Sequence, residues 1–232
     1  MINKQKYFIY YILFFLIGCA ETSLLPKTES ISAEILKQHY GFKISKNQDR
    51  GDIIPPLPGN EILGKKVSGR IGSDTDWTAF TLVIHKNNNK YTLMTQKRVN
   101  HPAGTIETAG GHLLGGQSWR EGARDELEQE SGINVAKEQL IYLQGGKLQI
   151  SKKDKLLGNV NFFIVFKKRP KTIDNNHEID AKYGHQWLDL KDTYLDVIQE
   201  QNKLKHKSGK YYHNFRSHLI EFCTKVIDCA KL

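Results

Sequence analysis

The residues of this chain best suited to chemistry are two glutamates spaced four apart. On a helix, Glu126 and Glu130 would lie one turn from each other on the same flank. Two carboxylates at that separation repel each other unless a cation lies between them, and Mg²⁺ is a common partner because it prefers oxygen ligands. A solvated acidic face is the alternative interpretation, since glutamate-rich helices commonly carry one.

The sequence around this pair predicts a short helix with defined ends. Ser118 is a favourable N-cap and Glu121, three residues later, completes a capping box, so the helix is expected to begin at Trp119. Gly132 is a typical stop signal in the left-handed cap position. A glycine-rich loop over residues 110–116 leads directly into this helix, and that arrangement favours a site over a solvated face.

The stretch from residue 111 to residue 133 resembles the Nudix box, the signature of the Nudix hydrolase family. That signature is glycine, five residues, glutamate, seven residues, then Arg-Glu-aliphatic-x-Glu-Glu-x-Gly-aliphatic. The positions of this chain that match it are Gly111, Glu126, Leu127, Glu130, Gly132 and Ile133. Three positions depart from it: Gln117 and Gln129 replace glutamates, and Asp125 replaces the arginine that orients the glutamate cluster.

The resemblance implies a divalent metal site, with Mg²⁺ or Mn²⁺ as the cofactor. The first and last glutamates of the helix signature are the usual metal ligands in the family, and both are retained as Glu126 and Glu130, the implied catalytic pair. The implied metal set also includes Gly110, through its carbonyl, and Gln129. The Gln129 amide offers an oxygen, but it supplies no negative charge and cannot act as a base at neutral pH.

A base that activates water must therefore come from another position. Family members often place a further carboxylate in the loop before a late strand, and Glu178 is the only glutamate in that loop here. Glu107 is a second candidate, because many members carry a glutamate just before the paired glycines. The alternatives are a solvated loop carboxylate for Glu178 and a polar edge-strand residue for Glu107.

Substrate contacts are expected beside the glycine-rich loop. Lys97 and Arg98 resemble the basic pair that often ends a Nudix strand, where it would contact phosphate. Glu107 and His112 are the other candidates for substrate binding. The alternatives are a solvated strand end for the basic pair and a surface position for the histidine.

The first eighteen residues are predicted to be a signal peptide. Lys4 and Lys6 precede an apolar run from Tyr7 to Gly18, which is shorter than the roughly 20 residues that a membrane span needs. The run ends in Leu16-Ile17-Gly18-Cys19, which resembles the lipobox of bacterial lipoproteins and implies lipidation of Cys19. Because Ala20 resembles outer-membrane sorting, the expected location is the periplasmic side of the outer membrane in the bacterial cell envelope. An uncleaved anchor is the alternative.

The rest of the chain is divided into a tether and one domain. Residues 19–64 are expected to form a lipid-anchored tether with one short helix, which a proline-rich stretch after residue 54 ends. Residues 65–232 are predicted to form a Nudix-like domain. The formal net charge is +9, and removal of residues 1–18 takes away two lysines and no acid, leaving +7. No basic run is interleaved with aromatic residues, so nucleic acid is not an expected partner.

The order of predicted elements favours an α/β fold, an α/β/α sandwich with a mixed β-sheet, which is also the fold that the Nudix resemblance implies. A hairpin (77–85 and 91–98), two later strands (140–150 and 156–168) and a short strand (186–190) would form the sheet. Cys223 and Cys229 are placed six residues apart on one continuous helix, too far apart for a disulfide, so free buried thiols are predicted. No Cys/His spacing indicates zinc.

These features lead to two hypotheses about function. The first is a membrane-tethered Nudix-type hydrolase that cleaves the pyrophosphate bond of a nucleoside diphosphate linked to another moiety. The second is a Nudix-fold binding module without catalytic activity, which the three charge-removing departures and the nucleotide-poor envelope favour. The resemblance also implies that a homodimer would be a common arrangement.

Overall fold

The computed structural model describes residues 28–55, 61–62, 65–66, 74–99, 103–145, 149–150, 156–173, 184–203 and 209–232. The strands are β1 (Glu61–Ile62), β2 (Lys65–Lys66), β3 (Asp74–Asn87), β4 (Lys90–Lys97), β5 (Ile106–Glu107), β6 (Ala109–Leu114), β7 (Ile141–Gly145), β8 (Gln149–Ile150), β9 (Leu156–Phe166) and β10 (Gln186–Asp189). The α-helices are α1 (Ala33–Tyr40), α2 (Trp119–Ser131), α3 (Leu190–Lys203) and α4 (His213–Lys225). Short 3-10 helices cover Gln48–Asp52, Lys137–Gln139 and Cys229–Lys231.

The main sheet is mixed and has the strand order β10-β4-β3-β9-β7. Strands β3 and β9 run parallel over nine residue pairs, from Trp77–Gly158 to His85–Phe166, and the other pairings in this sheet are antiparallel. Strand β5 pairs with β4, β6 with β3 and β8 with β9. The parallel pair requires a crossover, and the chain between β3 and β9 includes α2.

Apolar side chains cover both faces of the sheet. In β9, Phe162 and Ile164 pack in the cluster under α2, whereas Phe163 and Val165 pack in the cluster under α1, α3 and α4. Successive side chains of a strand point to opposite faces, so a continuous apolar run is buried on both sides. Burial of one such phenylalanine contributes roughly 2–3 kcal/mol. The predicted α/β/α sandwich with a mixed sheet is confirmed.

The N-terminal part of the chain differs from its prediction as a tether. Ile31, Leu36 and Phe42 are buried in the core under α1, and the Ile31 N–H bonds to the Val165 carbonyl at 2.7 Å. Gln48 also donates to the Tyr142 carbonyl at 3.0 Å. The tether interpretation is therefore wrong for residues 28–55, which belong to the folded domain because their apolar side chains complete its core. Residues 1–27, including Cys19, lie outside the described residues.

The C-terminal cysteines also differ from their prediction. Helix α4 ends at Lys225, and the chain turns so that Cys229 begins a 3-10 helix instead of continuing the same axis. This brings the two Cα atoms to 5.0 Å, and Cys223 and Cys229 form a buried disulfide. The prediction of free thiols was wrong because it assumed one continuous helix. None of the described helices is long and apolar enough to cross a membrane.

Candidate functional site

Glu130 is a buried carboxylate held by two hydrogen bonds from different strands. It lies near the end of α2 and is 3% exposed. Its Oε2 accepts the Gly110 N–H of β6 at 2.8 Å and the Gln96 Nε2 of β4 at 3.0 Å. Burial raises the pKa of Glu130 well above its usual range, and the nearby charges of Glu107 and Glu126 raise it further. A solvated acidic face is thus excluded for Glu130.

Helix α2, which carries this residue, has the ends that its sequence predicts. The Ser118 side chain accepts the Glu121 N–H, and the Glu121 carboxylate accepts the Ser118 N–H, so the capping box is formed. Gly132 closes the helix in the left-handed conformation, with φ of 70°. Trp119, Ala123 and Leu127 pack against the sheet and fix the rotation of the helix, and Glu130 is buried on the same side.

Glu126 lies one turn earlier and packs against the backbone of the glycine-rich loop. A Cβ added at Gly111 would lie 2.5 Å from the Glu126 Oε2 and 2.7 Å from its Cδ. Since real Cβ atoms do not approach other atoms so closely, a side chain at position 111 would push the carboxylate away. The first glycine of the motif and its first helix glutamate are therefore in direct contact.

Replacement of Gly111 by alanine is expected to reduce hydrolytic activity while leaving most of the stability intact, because the flexible end of Glu126 moves instead of the backbone. We expect a loss of about 100-fold in kcat/KM, the scale typical of a misplaced active-site group. Gly115→Ala is the matched control, since Gly115 is exposed in the same loop and does not have positive φ. Equal activity of the two variants would contradict a functional role for the contact between Gly111 and Glu126.

The remaining predicted metal-binding positions are placed differently. Gln129 is exposed, next to the buried Glu130. Gly110 contacts Glu130 through its N–H, whereas the prediction concerned its carbonyl. Glu178 lies outside the described residues, so its role as a base stays a prediction.

Two of the three departures from the motif contact each other. Gln117 Nε2 donates to Asp125 Oδ2 at 2.6 Å, and Gln117 Oε1 accepts the Leu114 N–H at 2.8 Å. Arg124 also binds Asp125, through Nε at 2.7 Å. The positions of the motif's glutamate and arginine are thus still joined by a hydrogen bond, although the charges have changed.

The candidate substrate-binding residues fall into two groups. Glu107 is 5% exposed and forms an ion pair with Arg98, whose guanidinium lies over the Tyr212 ring at 4.4 Å. Lys97, at the end of β4, is half-buried and His112, on β6, is exposed. The structure therefore brings Glu107 and Arg98 together near Glu130, and it leaves His112 on the surface.

The site offers oxygen donors for a divalent cation. Among the described residues, no group of three His, Cys, Asp or Glu side chains is arranged to hold a metal ion. Glu126 and Glu130 nevertheless supply two hard carboxylate ligands, and the charge of Glu107 also acts on Glu130. Oxygen donors of this kind fit Mg²⁺ or Mn²⁺ in type, and a cation would relieve the repulsion between the carboxylates.

A buried polar cluster, which was not predicted from the sequence, lies on the opposite face of the sheet. His218 of α4 is 1% exposed, and neither of its ring nitrogens has a hydrogen-bond partner among the described residues. Its ring lies 5.1 Å from the ring of Phe80. In the sheet, Phe80 of β3 is paired with Gly110 of β6 on one side and with Asn161 of β9 on the other. Asn161 Oδ1 is also without a partner there. Buried polar atoms normally have a hydrogen-bond partner in the protein or in an ordered water molecule.

The burial of His218 could have been predicted from its position in the apolar pattern of α4. It lies four residues before Phe222 and three after Phe215, both of which are buried. A histidine on the packing face of a helix is therefore expected to be buried as well.

His218 is expected to make the folded protein sensitive to acid. Burial lowers its pKa from 6.5 to about 3, with the charge of His213 adding to the effect. Between these values the unfolded chain binds a proton that the folded protein does not, so the free energy of unfolding falls as pH is lowered, by about 1.4 kcal/mol per pH unit. Urea unfolding at several pH values should show a slope that is steeper in the wild type than in His218→Leu by about this amount.

His39→Leu provides the control, because His39 is an exposed histidine of α1. Its slope should match that of the wild type. Parallel curves for the wild type and His218→Leu would show that His218 does not cause the acid sensitivity.

Comparisons with known proteins found similarity in three-dimensional structure. No known protein-family model matches the sequence, and no characterised protein matches it. The similar solved structures include a MutT/nudix family protein from Enterococcus faecalis, at 12% identity and a TM-score of 0.42, covering 54% of this chain and 47% of that chain. A C. elegans Ap4A hydrolase matches at 18% identity and a TM-score of 0.44, covering 64% and 95%. The dihydroneopterin triphosphate pyrophosphohydrolase of E. coli matches at 15% identity and a TM-score of 0.45, covering 70% and 99%.

This chain thus spans about half the length of the Enterococcus protein.

Proposed function

We propose that this chain is a Nudix-type hydrolase that cleaves the pyrophosphate bond of a nucleoside diphosphate linked to another moiety. The observation that carries the proposal is the pair Glu126 and Glu130, which α2 holds against the glycine-rich loop. The chain has kept the motif residues that are in contact, and the departures Gln117 and Asp125 still form a hydrogen bond with each other.

The two carboxylates are the residues proposed to hold Mg²⁺ or Mn²⁺. When bound, such an ion neutralises phosphate charge and lowers the pKa of a coordinated water. Glu130 is fixed by Gly110 and Gln96, so its oxygens are positioned before a ligand arrives. A carboxylate that is already fixed loses no further conformational freedom when it binds a metal ion, and this favours affinity for the metal.

Proton transfer in the proposed reaction needs a separate group. Glu107 is engaged by Arg98, so it could accept a proton only if this ion pair opened. Glu178 remains the proposed base. Arg98 is proposed to contact a phosphate of the substrate when its ion pair with Glu107 opens.

A second candidate function is a binding module without catalytic activity. Gln129 favours it, because an exposed amide at this position contributes neither a ligand charge nor a base. Such a module would bind the nucleotide without turning it over.

The two functions are separated by measuring hydrolysis and binding together. The mature chain, residues 19–232, would be incubated with Mg²⁺ or Mn²⁺ and a panel of nucleoside diphosphate sugars, dinucleotides and nucleoside triphosphates. Residues 28–55 must be retained, since they belong to the folded core. Metal-dependent turnover that is lost in Glu126→Gln supports the hydrolase. Calorimetric binding without turnover supports the module, and neither binding nor turnover overturns both.

We also propose that Cys19 is lipidated and tethers the domain in the bacterial cell envelope. The disulfide between Cys223 and Cys229 supports this location, because disulfides persist in oxidising compartments. Cys19→Ser is expected to release the protein from membranes. Unchanged membrane fractionation of this variant would refute the lipid anchor.

A further inference from the structure

A basic segment follows the end of strand β9 on the surface of the domain. Lys167, Lys168, Arg169 and Lys171 are all exposed. No carboxylate among the described residues forms an ion pair with these side chains. Arg169 lies over the Trp187 ring at 5.1 Å, and its contact leaves the three lysines as uncompensated charges on this surface.

The β3–β4 hairpin adds positive charge at the same end of the sheet. His85 pairs with Phe166, so the residues that follow both strands are neighbours. Lys86 lies over the Tyr40 ring at 4.4 Å, and Lys90 is exposed. Asp189 also ends a strand here, and its exposed carboxylate offsets part of this positive charge.

The N-terminal segment joins the domain beside this basic surface. Ile31 bonds to Val165, two residues before Lys167. Between Cys19 and Thr28 lie residues 20–27, which can span at most about 28 Å even when fully extended. This reach is shorter than the diameter of a domain of this size, about 40 Å. An anchored Cys19 therefore keeps this end of the domain close to the bilayer.

The candidate active site lies further along the sheet, near the middle of β3. Gly110, which bonds to Glu130, pairs with Phe80, whereas the basic segment follows the pair of His85 and Phe166. Five residues of strand separate Phe80 from His85 along β3, a distance of about 17 Å. The chain that follows the basic segment returns to the helix of the site, because the Ile173 N–H bonds to the carbonyl of Ser131, the neighbour of Glu130, at 2.8 Å.

We propose that this basic end of the sheet binds the anionic headgroups of the membrane to which Cys19 is anchored. It consists of Lys86, Lys90, Lys167, Lys168, Arg169 and Lys171. The inference rests on the lipid anchor proposed above for Cys19, and it does not depend on the hydrolase assignment. Basic residues near an anionic bilayer each strengthen binding within about one Debye length of the surface.

The test uses the mature chain, residues 19–232, with Cys19→Ser, so that no lipid contributes to binding. Co-sedimentation would be measured with vesicles of phosphatidylcholine alone and with vesicles that contain phosphatidylglycerol. We expect binding to the anionic vesicles, loss at high salt, and about 30-fold weaker partitioning for the double variant Lys168→Gln/Lys171→Gln, because each lysine contributes about fivefold.

The matched control is Lys46→Gln/Lys203→Gln, which removes the same charge from exposed positions outside the basic end, neither of which forms an ion pair among the described residues. It should bind within about twofold of the unaltered chain if charge position matters. Equal weakening of both double variants, equal binding to neutral and anionic vesicles, or equal affinity for a DNA duplex would each overturn the proposal. The rate of hydrolysis by the same variants should be unchanged. Failure of the membrane-binding proposal can therefore be distinguished from failure of the proposed hydrolase function.

Discussion

Replacement of Glu130 by glutamine is expected to reduce metal-dependent pyrophosphate hydrolysis by about 100- to 1,000-fold, because one of two ligand charges is lost from a fixed position. The melting temperature should stay the same or rise. Burial raises the pKa of Glu130, which means that the charged form is costly inside the protein. A glutamine carbonyl can still accept the Gly110 N–H.

Glu128→Gln is the matched control for this prediction. It removes a carboxylate from the same helix, at a half-buried position whose contact is with Asn134 at 3.1 Å. Its hydrolytic activity should remain near that of the wild type. Retention of activity within tenfold by Glu130→Gln would contradict the assignment of Glu130 as a metal ligand.

Replacement of Arg120 by methionine is expected to lower the free energy of unfolding by about 3 kcal/mol, because several charge-assisted hydrogen bonds are lost together. Arg120 is 5% exposed in the first turn of α2. Its guanidinium donates to the carbonyls of Gln48 and Leu140 and to the Asp52 carboxylate at 3.0 Å. The two carbonyls would lose their donor in the variant.

Urea unfolding would measure this effect against Arg124→Met. Arg124 lies one turn later on the same helix, is half-buried, and bonds to its neighbour Asp125. Because that contact is local and partly solvated, its loss should change stability by less than about 0.5 kcal/mol. A similar loss in both variants would show that Arg120 does not anchor the N-terminal segment.

The structure of α2 could be predicted from the sequence because its signals are local. Ser118, Glu121 and Gly132 act within a few residues of the helix ends, and the helix begins and ends where they indicate. Strand β9 could be predicted for a similar reason, since a continuous apolar run requires burial on both faces.

The docking of residues 28–55 could not be predicted in the same way. The contact of Ile31 with Val165 and those of Arg120 with the Gln48–Asp52 turn join distant parts of the chain. Proline-rich sequence after residue 54 suggested a linker, but composition does not reveal where an apolar segment packs. The disulfide was missed because nothing local indicates that α4 ends at Lys225.

The spacing of Glu126 and Glu130 could be predicted from the sequence, but their surroundings could not. Helical spacing relates Glu126 to Glu130, yet the burial of Glu130 depends on Gln96, which lies on another strand. The contact of Gln117 with Asp125 was likewise hidden, because the sequence showed only two separate departures from the motif.

The bond between Ile31 and Val165 has a consequence for biosynthesis. A chain that emerges from a ribosome or a translocation channel N-terminus first exposes Ile31 long before Val165, since more than half of its length lies between them. The N-terminal segment therefore waits without its partner and docks only after β9 has been delivered. During that interval its apolar residues are open to chaperones and proteases.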